Sequence, residues 1–276
     1  MCNKCFKGVS FILKNIAIIG AGKIGQSIIK GLLSNHFVDT KHLYATTHEE
    51  VSAKEVAERY GIEASTNNLK AVENADIVLV TVKPYNMDEV LKEIAPSLKK
   101  ESLIISSAAG YSIASIASFL STGHKIVRMM PNTPVAIQAG VIGFTPNEAL
   151  SPDEVALTKE LLSEMGLVEQ VTEAQLDTIT GVSGSSPTLV YMFIEAMADA
   201  ACQQGLPRQQ ALALVAQTVA GSAQMVIETH NHPGQLKDDV CSPAGTSIEC
   251  VRVAEDKGLR SAVIEAVIAA CQKAKS

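Results

Sequence analysis

The apolar positions of this chain change their period part-way along. Up to about residue 171, short continuous apolar runs alternate with segments of helical spacing. The runs at 15–20, 42–46, 76–82, 103–106, 125–130, 140–145 and 168–171 are rich in β-forming residues. Between them, 24–33, 51–60, 68–74, 87–98 and 112–120 look helical. Another helix is predicted from Pro152, with Ser151 as N-cap and Glu154 nearby. Strands that are apolar throughout, separated by helices, predict a mostly parallel, doubly wound sheet covered on both faces.

From about Thr172 the strand pattern stops. Segments 173–182, 188–204, 208–229, 247–256 and 260–275 suit helices, so an all-α region follows the α/β region. Gly205 with Pro207, a turn at His232-Pro233-Gly234, and Gly258 punctuate them. The longest apolar stretch, 211–227, contains Gln217, Thr218, Ser222 and Gln224. A bilayer span wants ~20 mostly apolar residues, so this reads as a helix buried on several faces in protein. Glu195 and Asp199 form an i,i+4 acidic pair. A catalytic carboxylate pair is one reading; a solvated or interface-lining face is the plainer one.

The sharpest motif is Gly20-Ala21-Gly22-Lys23-Ile24-Gly25. It follows the first strand and opens a helix, the context of a dinucleotide-binding turn. Gly20 would permit the tight turn, Gly22 would let backbone approach a pyrophosphate, and Gly25 would let helix and strand pack closely. The helix N-terminus would then face the negative charge. NAD binders usually carry an acidic residue at the end of the second strand, for the ribose 2′-hydroxyl. Here the tip reads Tyr44-Ala45-Thr46-Thr47-His48-Glu49-Glu50, with hydroxyls at the strand end. Thr47 and Glu50 fit a capping box, and Thr46, Thr47 and the helix start could donate to a 2′-phosphate. NADP(H) is therefore expected ahead of NAD(H), which is not excluded.

Two small-residue clusters precede helices: Gly181-Val182-Ser183-Gly184-Ser185-Ser186-Pro187 and Ser242-Pro243-Ala244-Gly245-Thr246-Ser247. Each could be an anion site suited to a carboxylate, or plain capping. A dinucleotide domain upstream needs a substrate pocket, which favours the second cluster.

Composition narrows the field. With 276 residues, about two domains are expected. The net charge is −6 and only 4% of residues are aromatic, so neither phosphate neutralisation nor base stacking is supplied, and nucleic acid is a poor partner. Hydrophobic residues make up 47%, which leaves open what covers them. Cys2, Cys5, Cys202, Cys241, Cys250 and Cys271 form no disulfide ladder, no signal peptide is read before Lys14, and a reducing cytoplasm fits. Cys2-Asn3-Lys4-Cys5 lacks a second ligand pair, and His230 and His232 flank a turn, so no metal site is expected.

Several segments together resemble the pyrroline-5-carboxylate reductases. They are Ile18-Ile19-Gly20-Ala21-Gly22, Val82-Lys83-Pro84, Ala108-Ala109-Gly110, Arg128-Met129-Met130-Pro131-Asn132-Thr133-Pro134, Ser183-Gly184-Ser185-Ser186-Pro187, Phe193-Ile194-Glu195-Ala196-Met197-Ala198-Asp199-Ala200, His232-Pro233-Gly234-Gln235-Leu236-Lys237-Asp238 and Ser242-Pro243-Ala244-Gly245-Thr246-Ser247-Ile248. The resemblance covers nearly everything after Lys14. It implies an extension 1–14, a Rossmann domain 15–171 binding NADPH, and a helical dimerisation and substrate-binding domain 172–276 that intertwines with a second subunit. The active site would lie between one subunit's cofactor domain and the other's helices, and assembly beyond the dimer is left open. The implied reaction reduces the C=N bond of 1-pyrroline-5-carboxylate to L-proline.

Carried onto matching positions, Gly20, Gly22, Lys23, Ile24 and Gly25 would hold the pyrophosphate. Thr46, Thr47 and Asn68 would lie near the adenosine ribose and its phosphate. Val82, Lys83, Pro84, Ala108, Gly110 and Asn132 would line the nicotinamide side. Gly245, Thr246 and Ser247 would grip the substrate carboxylate and imine nitrogen, with Ser247 or Thr246 as the hydroxyl donor to nitrogen. Lys83 would bias the local field, or stand in solvent at a helix start. The chain departs from the family pattern at Ser186 and Ala244, where relatives commonly have Gly; neither change removes a donor. The alternatives are a related NADP-dependent imine or hydroxyacid reductase, and a catalytically idle NADP(H)-binding module.

Overall fold

The computed structural model describes residues 14–34 and 37–275. The Cys2/Cys5 pair lies outside them. The chain divides into two compact units. One runs up to Gly184 and takes in the chain from Cys271 onward; the other is Ser185–Ala270.

The first unit is built on one eight-stranded sheet. Its strands are β1 (Ile16–Ile19), β2 (Leu43–Thr46), β3 (Glu63–Ser65), β4 (Ile77–Val80), β5 (Leu103–Ser106), β6 (Lys125–Pro131), β7 (Gly140–Pro146) and β8 (Gly166–Gln170), in the order β3-β2-β1-β4-β5-β6-β7-β8. The expected doubly wound α/β class is what forms. All four residues of β1 are buried, because its two faces feed two cores. Ile16 and Ile18 pack with Ile28, Ile29 and Leu32 of helix α1 (Lys23–Ser34). Ala17 and Ile19 pack with Val72 of α3 (Asn68–Glu73) and with Met87 and Leu91 of α4 (Met87–Ile94). A strand covered on both faces has no side left for polar residues, which explains the unbroken apolar run.

One pairing is antiparallel, β6 with β7. Only residues 132–139 connect these strands, with a 3₁₀ turn at Thr133–Ile137. That is too short for a crossover, which takes a dozen residues or more. The β7–β8 pair is parallel again, joined through α6 (Pro152–Ser163). Ser151 caps α6 as expected: Glu154 N–H donates to Ser151 Oγ at 3.3 Å and Ser151 N–H to Glu154 Oε2 at 3.0 Å.

Three local expectations fail. The short strand β3 was not foreseen, because Glu63-Ala64-Ser65 carries no apolar run and stands at the sheet edge. The Thr47–Glu50 capping box does not form. Glu49 is the N-cap of α2 (Glu50–Tyr60), and Glu50 Oε1 instead accepts from Thr66 Oγ1 at 2.5 Å. Pro233 and Gly234 do not make a free turn; they open helix α10 (Pro233–Asp239), with His232 Nδ1 accepting the Gly234 N–H at 3.0 Å. Proline at the first helical position gives up an N–H that has no partner there anyway.

The first unit ends with α5 (Ile113–Ala117) between β5 and β6, then α7 (Gln175–Ile179) and a π-helical turn at Thr180–Ser185. The second unit holds α8 (Pro187–Gln203), α9 (Arg208–Thr229), α10 and α11 (Thr246–Asp256); α12 (Leu259–Ala274) starts within it. Helices α8 and α9 pack through Ala198, Ala211 and Val215, with Ile194, Met197 and Val219 around them. The expected burial of 211–227 on several faces is not met within one chain. Leu212, Leu214, Met225 and Ile227 of α9 are exposed, as are Tyr191, Met192 and Phe193 of α8.

Candidate active site

The C-terminal ends of β1 and β4 lie side by side where the strand order reverses. From β1 the chain winds outward to β2 and β3, then returns to β4 on the other side. Open α/β sheets leave a ligand crevice at such a point. Gly20 follows β1 with φ +87°, and a Cβ there would come within 2.6 Å of Val82 Cγ1. Only glycine satisfies both conditions. At Gly25 a Cβ would lie 2.9 Å from Gly20 O and from Thr81 Oγ1, so α1 could not approach β1 as it does. At Gly22 a Cβ would meet nothing within 4 Å. This glycine faces open space, as backbone approached by a pyrophosphate must.

The first helical bond runs from Gln26 N–H to Gly22 O at 2.8 Å. The N–H groups of Lys23, Ile24 and Gly25 precede it and point along the start of α1. These donors and the helix dipole fit an anion. The residues present therefore fit a dinucleotide.

At the end of β2 the two threonines differ. Thr46 is 1% exposed, and its Oγ1 accepts the Gly20 N–H at 3.2 Å. It braces the glycine turn and does not stand at the rim. Thr47 is half-buried; its N–H donates to Ser65 O at 3.1 Å and its hydroxyl to Glu49 O at 2.8 Å. Asn68 opens α3, half-buried, and donates from Nδ2 to Glu93 Oε2 at 2.8 Å.

The residues expected on the nicotinamide side stand beyond the C-terminal ends of three adjacent parallel strands. Val82, Lys83 and Pro84 follow β4, with Lys83 exposed as N-cap of the 3₁₀ turn Pro84–Asn86. Ala108, buried, and Gly110, at φ +69°, follow β5. Asn132 follows β6 and is buried; Nδ2 donates to Ser183 O at 3.1 Å and Oδ1 accepts from Val141 N–H at 2.9 Å. Its amide is thus committed to backbone on two sides, a bracing role absent from the sequence reading.

The two small-residue clusters differ in backbone. The first lies mostly in the π-helical turn, which follows α7 directly, with Ser186 in helical backbone as the N-cap of α8. It precedes a helix as expected, with Pro187 at the first position of α8 and no side-chain cap bond. So does the second: Gly245 is the N-cap of α11, with Thr246 and Ser247 as the first two helical residues and no side-chain cap bond. Gly245 N–H donates to Ser242 O at 3.0 Å, and a Cβ at Gly245 would run into Ser242 Oγ. Ala244 sits at φ +56°, left-handed backbone that an L-residue adopts at a cost.

The remaining candidates have structural partners. Asp199 is paired with Arg208 Nη1 at 2.5 Å. His230 closes α9 in the left-handed region and His232 caps α10. Among the described residues no group of three His, Cys, Asp or Glu could hold a metal ion.

Two family models match. Residues 173–276 fit pyrroline-5-carboxylate reductase dimerisation, and 15–110 fit NADP oxidoreductase coenzyme F420-dependent. The pyrroline-5-carboxylate reductase of Escherichia coli (strain K12) is 44% identical over 95% of this chain and 97% of its own length. The chain belongs to the pyrroline-5-carboxylate reductase family. A solved pyrroline-5-carboxylate reductase from Coxiella burnetii superposes with a TM-score of 0.87 at 35% identity, covering 95% of this chain and 97% of that one. Plasmodium falciparum pyrroline carboxylate reductase, solved with NADP bound, gives 0.86 at 27% identity over 96% of this chain and 98% of that one.

One residue of this reductase escaped the sequence reading. Thr81, directly after β4, donates its hydroxyl to Gly20 O at 2.7 Å. The signal was a single hydroxyl set between Val80 and Val82 at the crevice end of an otherwise apolar strand.

Proposed function

We propose that the chain reduces 1-pyrroline-5-carboxylate to L-proline with NAD(P)H, the last step of proline biosynthesis. The observation that carries this reading is membership of the reductase family in a chain whose glycine turn keeps an open face at Gly22.

Gly20, Gly22 and Gly25, with the backbone of Lys23 and Ile24, hold the pyrophosphate. Thr47 and Asn68 serve the adenosine ribose and its phosphate, while Thr46, expected beside them, braces the glycine turn from behind. The end of β2 carries hydroxyls where NAD binders usually have a carboxylate. This favours NADP(H), and NAD(H) is compatible with it. Val82, Lys83, Pro84, Ala108, Gly110 and Asn132 form the nicotinamide side.

When bound, NADPH supplies the hydride for the imine carbon. A protonated cyclic imine is the better acceptor and forms near neutral pH, so the protein need not polarise the bond with a metal. Its own task is to hold the substrate. The first-turn N–H groups of α11 and the hydroxyls of Thr246 and Ser247 suit a carboxylate. One of these hydroxyl oxygens also accepts from the N–H of the protonated ring nitrogen, which keeps that proton as it becomes the amine of proline. Fixing both ends of so small a molecule converts binding energy into orientation.

The chain forms a homodimer. The exposed apolar residues of α8 and α9 support a dimer made through the helical region. Helix α9 is long and apolar enough to cross a membrane by length and composition; we assign its cover to a second copy of the chain. Cys202, Cys241, Cys250 and Cys271 are unpaired, which supports a reducing, cytoplasmic setting.

The test is NADPH oxidation by the purified protein with 1-pyrroline-5-carboxylate, 1-piperideine-6-carboxylate and simple 2-keto acids. Turnover on the first, with proline as product, is expected. Tight NADPH binding without turnover on any of them would identify an idle binding module instead.

A further inference from the structure

Gly20 is gripped by side chains from both neighbouring strands. On the β2 side, Thr46 Oγ1 accepts its N–H at 3.2 Å, while the Thr46 carbonyl takes the N–H of Gly20 at 3.2 Å and of Ala21 at 2.6 Å. On the β4 side, Thr81 Oγ1 donates to Gly20 O at 2.7 Å, with Ile19 O 3.2 Å from the same hydroxyl. Gly22 N–H donates to Gly20 O as well, at 2.7 Å. The carbonyl that would repel an anion is thereby committed to two donors. The N–H groups of Lys23, Ile24 and Gly25 are left to receive one.

We infer that Thr46 and Thr81 are positioning residues that fix the Gly20 peptide and so set the affinity for the pyrophosphate, the part NADPH and NADH share. This rests on the dinucleotide reading of the crevice and not on the imino-acid reading of the substrate. It also changes the role of Thr46. A hydroxyl 1% exposed and bonded to Gly20 N–H does not read a 2′-phosphate. The clamp should therefore act on both dinucleotides alike and leave the choice between them untouched. Preorganising a turn raises affinity by removing alternatives from the free state.

The experiment measures Kd for NADPH and for NADH by fluorescence titration of the full-length enzyme, wild type against Thr81→Val, Thr81→Ser, Thr46→Val and Thr46→Ser. Loss of one internal hydrogen bond should raise both Kd values by about 3- to 10-fold in the Val variants. The NADPH/NADH ratio should stay within about 2-fold of wild type, and the Ser variants should recover near wild-type binding. The kcat at saturating NADPH should hold while KM for NADPH rises.

Selective loss of NADPH binding in Thr46→Val would overturn the inference, because Thr46 would then read the 2′-phosphate. Ser variants as weak as the Val variants, or Val variants that bind normally, would overturn it too. If Thr81→Val does not fold, Thr81→Ala against Thr81→Ser carries the same comparison. Wild type that binds both dinucleotides but reduces no imino acid would refute the proposed substrate alone. Wild type that binds neither would refute both readings.

Discussion

Asn132 and Ser183 are joined by a hydrogen bond from the Asn132 amide to the Ser183 carbonyl, 3.1 Å long, which ties the end of β6 to the π-helical turn. π-Helical turns are rare and frequent at functional sites, and this one is braced by a buried side chain whose other end holds Val141 N–H.

Asn132→Ala would strand both backbone groups. Each buried group left without a partner costs about 1–3 kcal/mol. We expect the variant to lose about 2 kcal/mol in urea denaturation. Asn132→Asp keeps the bond to Val141 but sets a second oxygen against Ser183 O, so it should do no better. Wild-type stability in Asn132→Ala would show that the bond is not a brace.

The glycines of the cofactor turn should separate binding from stability. Gly22→Ala adds a methyl where nothing lies within 4 Å, so its melting curve should match wild type while NADPH affinity falls by about 10-fold or more. Gly25→Ala pushes against Gly20 O and Thr81 Oγ1, each 2.9 Å away, so it should also lose about 1–3 kcal/mol of stability. Calorimetric melts beside NADPH titrations check both. Equal behaviour of the two variants would contradict the assignment.

Ala244 occupies a left-handed conformation at φ +56° in the loop before α11. Ala244→Gly relieves about 1–2 kcal/mol of backbone strain and gives part of it back as chain entropy. A net gain of about 0.5–1 kcal/mol is expected at fixed protein concentration. A loss of stability would mean that the alanine methyl makes contacts worth more than the strain.

Tyr111 is pushed up to about 12, first by burial and then by its hydrogen bond to Asp88 Oδ1 at 2.6 Å and that carboxylate's charge. The folded state therefore holds this proton more tightly than the unfolded chain. Its contribution to stability is complete below the ordinary tyrosine range near pH 10 and declines as pH rises towards about 12. Absorbance titration of the folded protein should show a late tyrosinate step that disappears in Tyr111→Phe and moves to lower pH in Asp88→Asn. No late step in wild type would refute this.

The long elements were legible because their periodicity is strong. The run 208–229 and the strand Leu103–Ser106 begin and end where the pattern places them. What escaped depends on partners far along the chain. β3 is a strand only because β2 offers it an edge, as Thr46 pairs with Ser65. Glu50 looked like a capping residue by spacing alone, but Thr66, sixteen residues away, takes its carboxylate. The glycine turn was readable as a motif; its clamp was not, because Thr81 meets Gly20 across 61 positions. The second small-residue cluster kept its predicted helix start at Gly245. The first falls mostly in the π turn, and only Ser186 separates that turn from α8.

In the proposed function the start of α11 holds a cyclic imino acid for reduction by NADPH. The most direct test is kcat/KM for 1-pyrroline-5-carboxylate, followed by NADPH consumption and proline formation, in wild type and in the double variant Thr246→Ala/Ser247→Ala. Proline from the wild type and a fall of about 100-fold in the double variant are expected, with NADPH binding unchanged. An unchanged kcat/KM in the double variant would contradict that role.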